Sequence, residues 1–203
     1  MLYRVAAAIG MAAFLIAGPL LASVTADEPK SVISKFNLAL LQSMQRADTL
    51  GYKGRLEKLT PVIRDSFDLR FMIRYSAGRH WRKLTAAQQD TLTGAFSELT
   101  IATYADRFNG YSGEKFEIVT VQEARKGLKL VKTVLQKSNG ERIRLDYLMR
   151  QNEKSWRIID IFLKGRISEL STKRSEYSAT LKRHGYDGLI EILKNKVSLL
   201  GAR

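Results

Sequence analysis

Residues 142–165 read RIRLDYLMRQNEKSWRIIDIFLKG, and the fold is decided by how this stretch pairs with itself. In its first half Ile143, Leu145, Tyr147 and Met149 alternate with Arg142, Arg144 and Asp146. That alternation predicts a strand with one buried and one wet face. The second half departs from it. Strict alternation sets Trp156, Ile158 and Phe162 on one side and Ile159, Ile161 and Leu163 on the other. A strand apolar on both sides needs cover on both, from helices of its own chain or from something that is not protein.

Three more runs join this hairpin. KFEIVTVQ (115–122) and LKLVKTVLQ (128–136) precede RIRLDYLMR (142–150) and SWRIIDIFL (155–163). Lys126-Gly127, Asn139-Gly140 and Asn152-Glu153 fall between them as turns. Connections this short predict a four-stranded antiparallel meander.

Both flanks read as helix. In residues 31–47, Val32, Ile33, Phe36, Leu40, Leu41 and Met44 form one stripe. Gly51 and Gly54 interrupt the next segment, and Thr60-Pro61 reads as an N-cap with proline at the first helical position. Asp68 caps a short helix bearing Phe71, Met72 and Tyr75, which Gly78 ends. Thr85 and Gln88 form a capping box for a helix to about Phe108, with Leu92, Phe96, Leu99 and Thr103 along one face. After Gly165, Leu170, Arg174, Tyr177 and Leu181 keep helical spacing, with a stop at Gly185. Asp187 caps a last helix carrying Leu189, Ile192, Leu193, Val197 and Leu200. Helices, then strands, then helices give an α+β fold, its four-stranded sheet packed by helices from both chain ends.

The first 26 residues stand apart. One positive charge, Arg4, precedes a charge-free run broken by Gly18-Pro19, and Val24 and Ala26 supply small residues ahead of a cut. This predicts a signal peptide cleaved after Ala26, against the alternative of an uncleaved anchor, and leaves residues 27–203 as a single domain. The chain has no cysteine, so disulfides and thiolate metal sites are excluded. Its 34 Lys and Arg against 20 Asp and Glu give a net charge of +14. Such a balance suits anionic lipid, acidic partners or nucleic acid. Export argues against nucleic acid, and the basic residues are scattered along the chain.

No catalytic constellation emerges. His80 and His184 have no partner at metal-ligand spacing, and there is no nucleophile elbow, P-loop or dinucleotide fingerprint. Asp160, within an apolar strand, reads either as a general base in a pocket or as a structural carboxylate satisfied by backbone N–H groups or an arginine. Spacing reads the aromatics as ordinary core in preference to the lining of a cavity.

Residues 67–108, FDLRFMIRYSAGRHWRKLTAAQQDTLTGAFSELTIATYADRF, carry Phe67, Asp68, Met72, Gly78, Trp81, Gln88, Gln89, Phe96, Leu99, Thr103 and Tyr104 in an order that resembles the MlaC-like, or toluene-tolerance, family of periplasmic lipid carriers. The second half continues it with Asp146, Tyr147, Trp156, Asp160, Gly165, Ser168, Arg174, Ser175, Tyr177, Gly185 and Leu189. GYKGRLEKLTPVI, RFNGYSGEKFEI and GRISELSTKRSEYS look most like its hopanoid-associated HpnM branch. Arg166-Ile167-Ser168 stands where the broader family has Gly-Val-Ser, a departure that bears on a phospholipid-specific role.

The resemblance implies an apolar lipid cavity between sheet and helices, so that the two-sided strand meets a ligand. It implies a non-catalytic periplasmic shuttle, without cofactor, that carries hopanoids or phospholipids and touches membranes transiently. Its partners would be an inner-membrane lipid exporter and an outer-membrane acceptor. Side-chain direction and family likeness together nominate Phe71, Met72, Tyr75, Phe96, Leu99, Tyr147, Met149, Trp156, Ile158 and Phe162 as the lining. Competing expectations are an exported enzyme or small-molecule binder on a similar frame, and an adaptor with a closed core.

Overall fold

The computed structural model describes residues 28–202 other than 126, 153 and 154. The expected signal peptide lies outside them. Five helices and five strands follow in the order α1 (Pro29–Gln45), α2 (Ala47–Ser66), α3 (Leu69–Ala77), a 3-10 turn (Gly78–Lys83), α4 (Ala86–Arg107), β1 (Lys115–Glu123), β2 (Leu128–Gln136), β3 (Arg142–Gln151), β4 (Trp156–Leu163), β5 (Ile167–Ser168) and α5 (Glu169–Gly201).

The capping chemistry works as read. The Thr85 hydroxyl accepts from Gln88 N–H while the Gln88 side chain accepts from Thr85 N–H, and Asp68 Oδ1 accepts from Phe71 N–H at 2.9 Å. One helix runs on where a new start was expected. α2 passes through Pro61, and Thr60, far from capping a new helix, donates its hydroxyl to Leu56 O at 2.7 Å. Gly51 (φ 58°, ψ −176°) and Gly185 (φ 69°, ψ −167°) leave the helical conformation and break the runs of α2 and α5 at the positions expected. A second helical run follows Gly185.

The sheet is an antiparallel meander, β1-β2-β3-β4-β5. It has five strands, one more than expected. The fifth is two residues long, paired through Phe162↔Ser168 and Leu163↔Ile167, and too short to announce itself by alternation.

The pairing of β3 with β4 corrects the two-sided reading of the opening stretch. Leu145 lies opposite Leu163, Tyr147 opposite Ile161, and Met149 opposite Ile158. Leu148 pairs with Asp160, so Ile159 has no partner and forms a bulge. The extra residue shifts the alternation by one place. Ile158, Ile161 and Leu163 therefore share the face of Leu145, Tyr147 and Met149, while Asp160 and Phe162 lie on the opposite face with Leu148 and Asp146. A second irregularity, between Ile118 and Thr120, does the same in β1.

The core lies between that face and the helices. Phe36 of α1 is fully buried and meets Phe67, Tyr104 and Tyr147 edge-on, with centroids 5.4, 5.4 and 6.0 Å away. The α2–α3 junction is fastened to β4 by a parallel bridge from Phe67 to Ile158 and by Asp68 N–H donating to Ile158 O at 2.9 Å. Where an apolar hollow was expected between the layers, these rings pack with Ile33, Leu40, Ile63, Val131 and Ile158.

Candidate functional site

The expected lining residues divide into two groups. Met72, Phe96, Leu99, Tyr147, Met149, Trp156 and Ile158 are buried together in the central cluster. Met72 comes from α3, Phe96 and Leu99 from α4, and the rest from β3 and β4. Phe71, Tyr75 and Phe162 lie outside this group. Phe162 is on the far face of the sheet because of the bulge at Ile159. Phe71 packs on the rim of the cluster, and Tyr75 is exposed.

Phe71 and Tyr75 belong to a surface ladder along α3. Their rings stack with centroids 6.4 Å apart. The Arg150 guanidinium sits 4.4 Å above Phe71 and also pairs with Asp68. Arg174 of α5 sits 4.7 Å above Tyr75 and donates to Tyr75 O at 3.0 Å. Each cation is drawn to the negative face of its ring, and together the contacts tie α3 to β3 and α5.

Three rings at the centre were absent from the expected lining: Phe36, Phe67 and Tyr104. Their signals were present in the sequence. Phe36 stood on the α1 stripe, and Phe67 and Tyr104 were among the family-like residues. Phe67 and Tyr104 meet at 5.8 Å, and Tyr104 stacks on Phe108 at 5.6 Å.

The interior carries polar atoms among its apolar ones. Burial pushes the phenols of Tyr104, Tyr147 and Tyr177 up, so all three stay protonated at neutral pH. Tyr147 is eased by its hydrogen bond with Thr133. Among the described residues, Tyr177 Oη, Asn37 Oδ1 and Ser43 Oγ are buried with no hydrogen-bond partner. Each such atom costs on the order of 1–3 kcal/mol of desolvation, a cost that a core built only for stability avoids by using phenylalanine, leucine or alanine.

Asp160 resolves as a structural carboxylate. Its Oδ1 accepts from Ile161 N–H at 2.7 Å and Leu170 N–H at 2.9 Å, and its Oδ2 accepts from the Ser168 hydroxyl at 2.6 Å. It therefore fastens the start of α5 to β4. Burial raises its pKa more than these donors lower it. The arrangement places no histidine against it, and among the described residues no group of three or more His, Cys, Asp or Glu is placed to hold a metal. Asp146, also buried, pairs with Arg144 at 2.8 Å.

Two hollows mark the surface. One, of about 310 Å³, lies at the bend of α2 and is lined by Asp48, Tyr52, Arg55, Asp106 and Asn109 among others. Arg55 is committed there to structure, donating to Ala105 O at 2.8 Å and Ala47 O at 3.1 Å. The other, of about 280 Å³, lies at the α2–α3 junction between Arg64, Phe67, Asp68, Leu69, Arg70, Asn152 and Arg157. No described helix is long and apolar enough to cross a membrane.

Residues 12–195 match the family model described as MlaC protein. Among solved structures, the phospholipid-binding protein from Ralstonia solanacearum in complex with a phospholipid superimposes with a TM-score of 0.72 at 20% identity. The match covers 85% of this chain and 96% of that one, and shows a shared fold.

Proposed function

The chain belongs to the MlaC family, and from that membership we propose that it is a lipid carrier whose cargo lodges between the helices and the inner face of the sheet. The observation that carries this reading is the ring layer of Phe36, Phe67, Tyr104 and Tyr147. It separates the helices from the sheet, and it is held by edge-on ring contacts. Such contacts contribute about 0.5–1.5 kcal/mol each beyond area burial. A lipid returns about 0.8 kcal/mol for each CH₂ taken out of water, so tails of some tens of carbons outweigh the ring contacts they part. The buried phenols then give oxygen-bearing parts of a cargo something to bond.

Carriage needs no covalent step. Membrane and pocket must offer similar apolar surroundings, so that transfer in either direction is nearly balanced. In this reading the leader is removed after Ala26, and residues 27–203 work as one lipid-binding domain in the periplasm. The domain docks briefly at an inner-membrane exporter and an outer-membrane acceptor. Its net positive charge speeds encounter with acidic surfaces without tight burial.

The resemblance to the hopanoid-associated branch favours hopanoids as cargo. The phospholipid bound by the structurally similar protein favours phospholipid. A lipid extract of the protein purified from a hopanoid-producing host, run beside a mock purification, separates the two. Enrichment of either class over the mock supports the carrier reading and names its cargo. No enriched lipid contradicts it.

A further inference from the structure

The hollow at the α2–α3 junction combines two features. Its walls carry three guanidinium groups, Arg64, Arg70 and Arg157. Its floor includes Phe67, whose ring also belongs to the central layer, edge-on to Phe36 and Tyr104. A cationic seat at the surface is thus one side chain away from the apolar interior.

The charges in it are engaged to different degrees. Arg157 donates through Nη1 to the carbonyls of Arg64 and Asp65, which holds it against the last turn of α2 and leaves its other donors uncommitted to those carbonyls. Arg70 pairs with Asp90 through one nitrogen and lies 5.7 Å from the centroid of the Trp81 ring. Arg64 is exposed. Asp68, which also lines the hollow, is already engaged by Arg150 and Phe71 N–H, and Asp65 is exposed on α2. Planar guanidinium forks match phosphate oxygens two at a time, and they offer much less to an uncharged hydroxyl.

We infer that this hollow seats the phosphate of a lipid headgroup, with the tails entering past Phe67. The inference rests on the carrier reading and narrows its cargo to phosphate-bearing lipid. It predicts that Phe67 turns aside when cargo enters, since the ring lies between the hollow and the space the tails would take.

Calorimetric titration with soluble short-chain probes tests it: dihexanoyl phosphatidic acid, dihexanoylglycerol with the same tails, and inorganic phosphate. Wild type should bind the phosphatidic acid about tenfold or more tighter than dihexanoylglycerol, as charge-assisted hydrogen bonds require. Inorganic phosphate alone should bind far more weakly than the phosphatidic acid. The exposed pair Arg64→Gln/Arg70→Gln should erase the preference while leaving dihexanoylglycerol binding unchanged. Equal binding of the two lipids by wild type overturns the headgroup seat and leaves the carrier standing. An unchanged preference in the double variant overturns the location. Inorganic phosphate binding as tightly as the phosphatidic acid overturns the lipid as its source. Binding of neither lipid overturns both the seat and the carrier.

Discussion

Asp160 shows how one side chain is decided by its surroundings. It sits in an apolar strand, and its carboxylate is satisfied by two backbone N–H groups and a serine hydroxyl at the root of α5. Burial still dominates and lifts its pKa. The carboxyl thus holds its proton more tightly folded than unfolded. The stability it contributes is greatest in acid, falls as pH rises from the ordinary carboxylate value through the raised one, and is constant above. Asp160→Asn keeps an oxygen for the two N–H donors and carries no charge. The melting temperature of wild type relative to this variant should therefore fall between about pH 3 and pH 7. A relative rise over that range would show that the hydrogen bonds outweigh burial. That Asp160 is structural was one of two readings open in the sequence. What decided it was the neighbourhood of Leu170 N–H and Ser168, which the hairpin alone does not reveal.

Among the elements, α5 and β4 matter most. α5 is two helical runs joined at Gly185, where the backbone adopts a conformation that essentially only glycine reaches. A methyl group there meets nothing within 4 Å, so the cost of substitution is conformational. Gly185→Ala should cost about 1–3 kcal/mol in chemical denaturation; an unchanged midpoint would mean that the bend is not required by the fold. Elements with local chemical signals were legible: the Thr85–Gln88 box, the Asp68 cap, and the Asn139-Gly140 turn all sit where the residues put them. Less was visible where the cause is tertiary. The bulge at Ile159 is set by pairing with β3, and nothing in the local residues marks it, so Phe162 was assigned to the wrong side. Strand β5 is too short for alternation. Pro61 is carried within a helix held on both sides by packing, where its sequence context reads as a start.

Across the whole molecule, the layering was readable and the state of its interior was not. Periodicity fixes which faces of the helices and strands are apolar, and so sets helices against a meander. It does not say whether rings from opposing layers meet or stand apart. Here they meet, through Phe36, and the expected lining from Met72 to Ile158 is part of a packed cluster. The carrier reading therefore makes a specific demand. The layer between helices and sheet must open for cargo and close again without it.

Native mass spectrometry tests that demand most directly, on protein isolated from a host whose membranes contain the cargo and compared before and after delipidation. A carrier should give a heavier species in the native sample, exceeding the bare chain by the mass of a lipid and lost on delipidation. A single identical mass in both samples would contradict it.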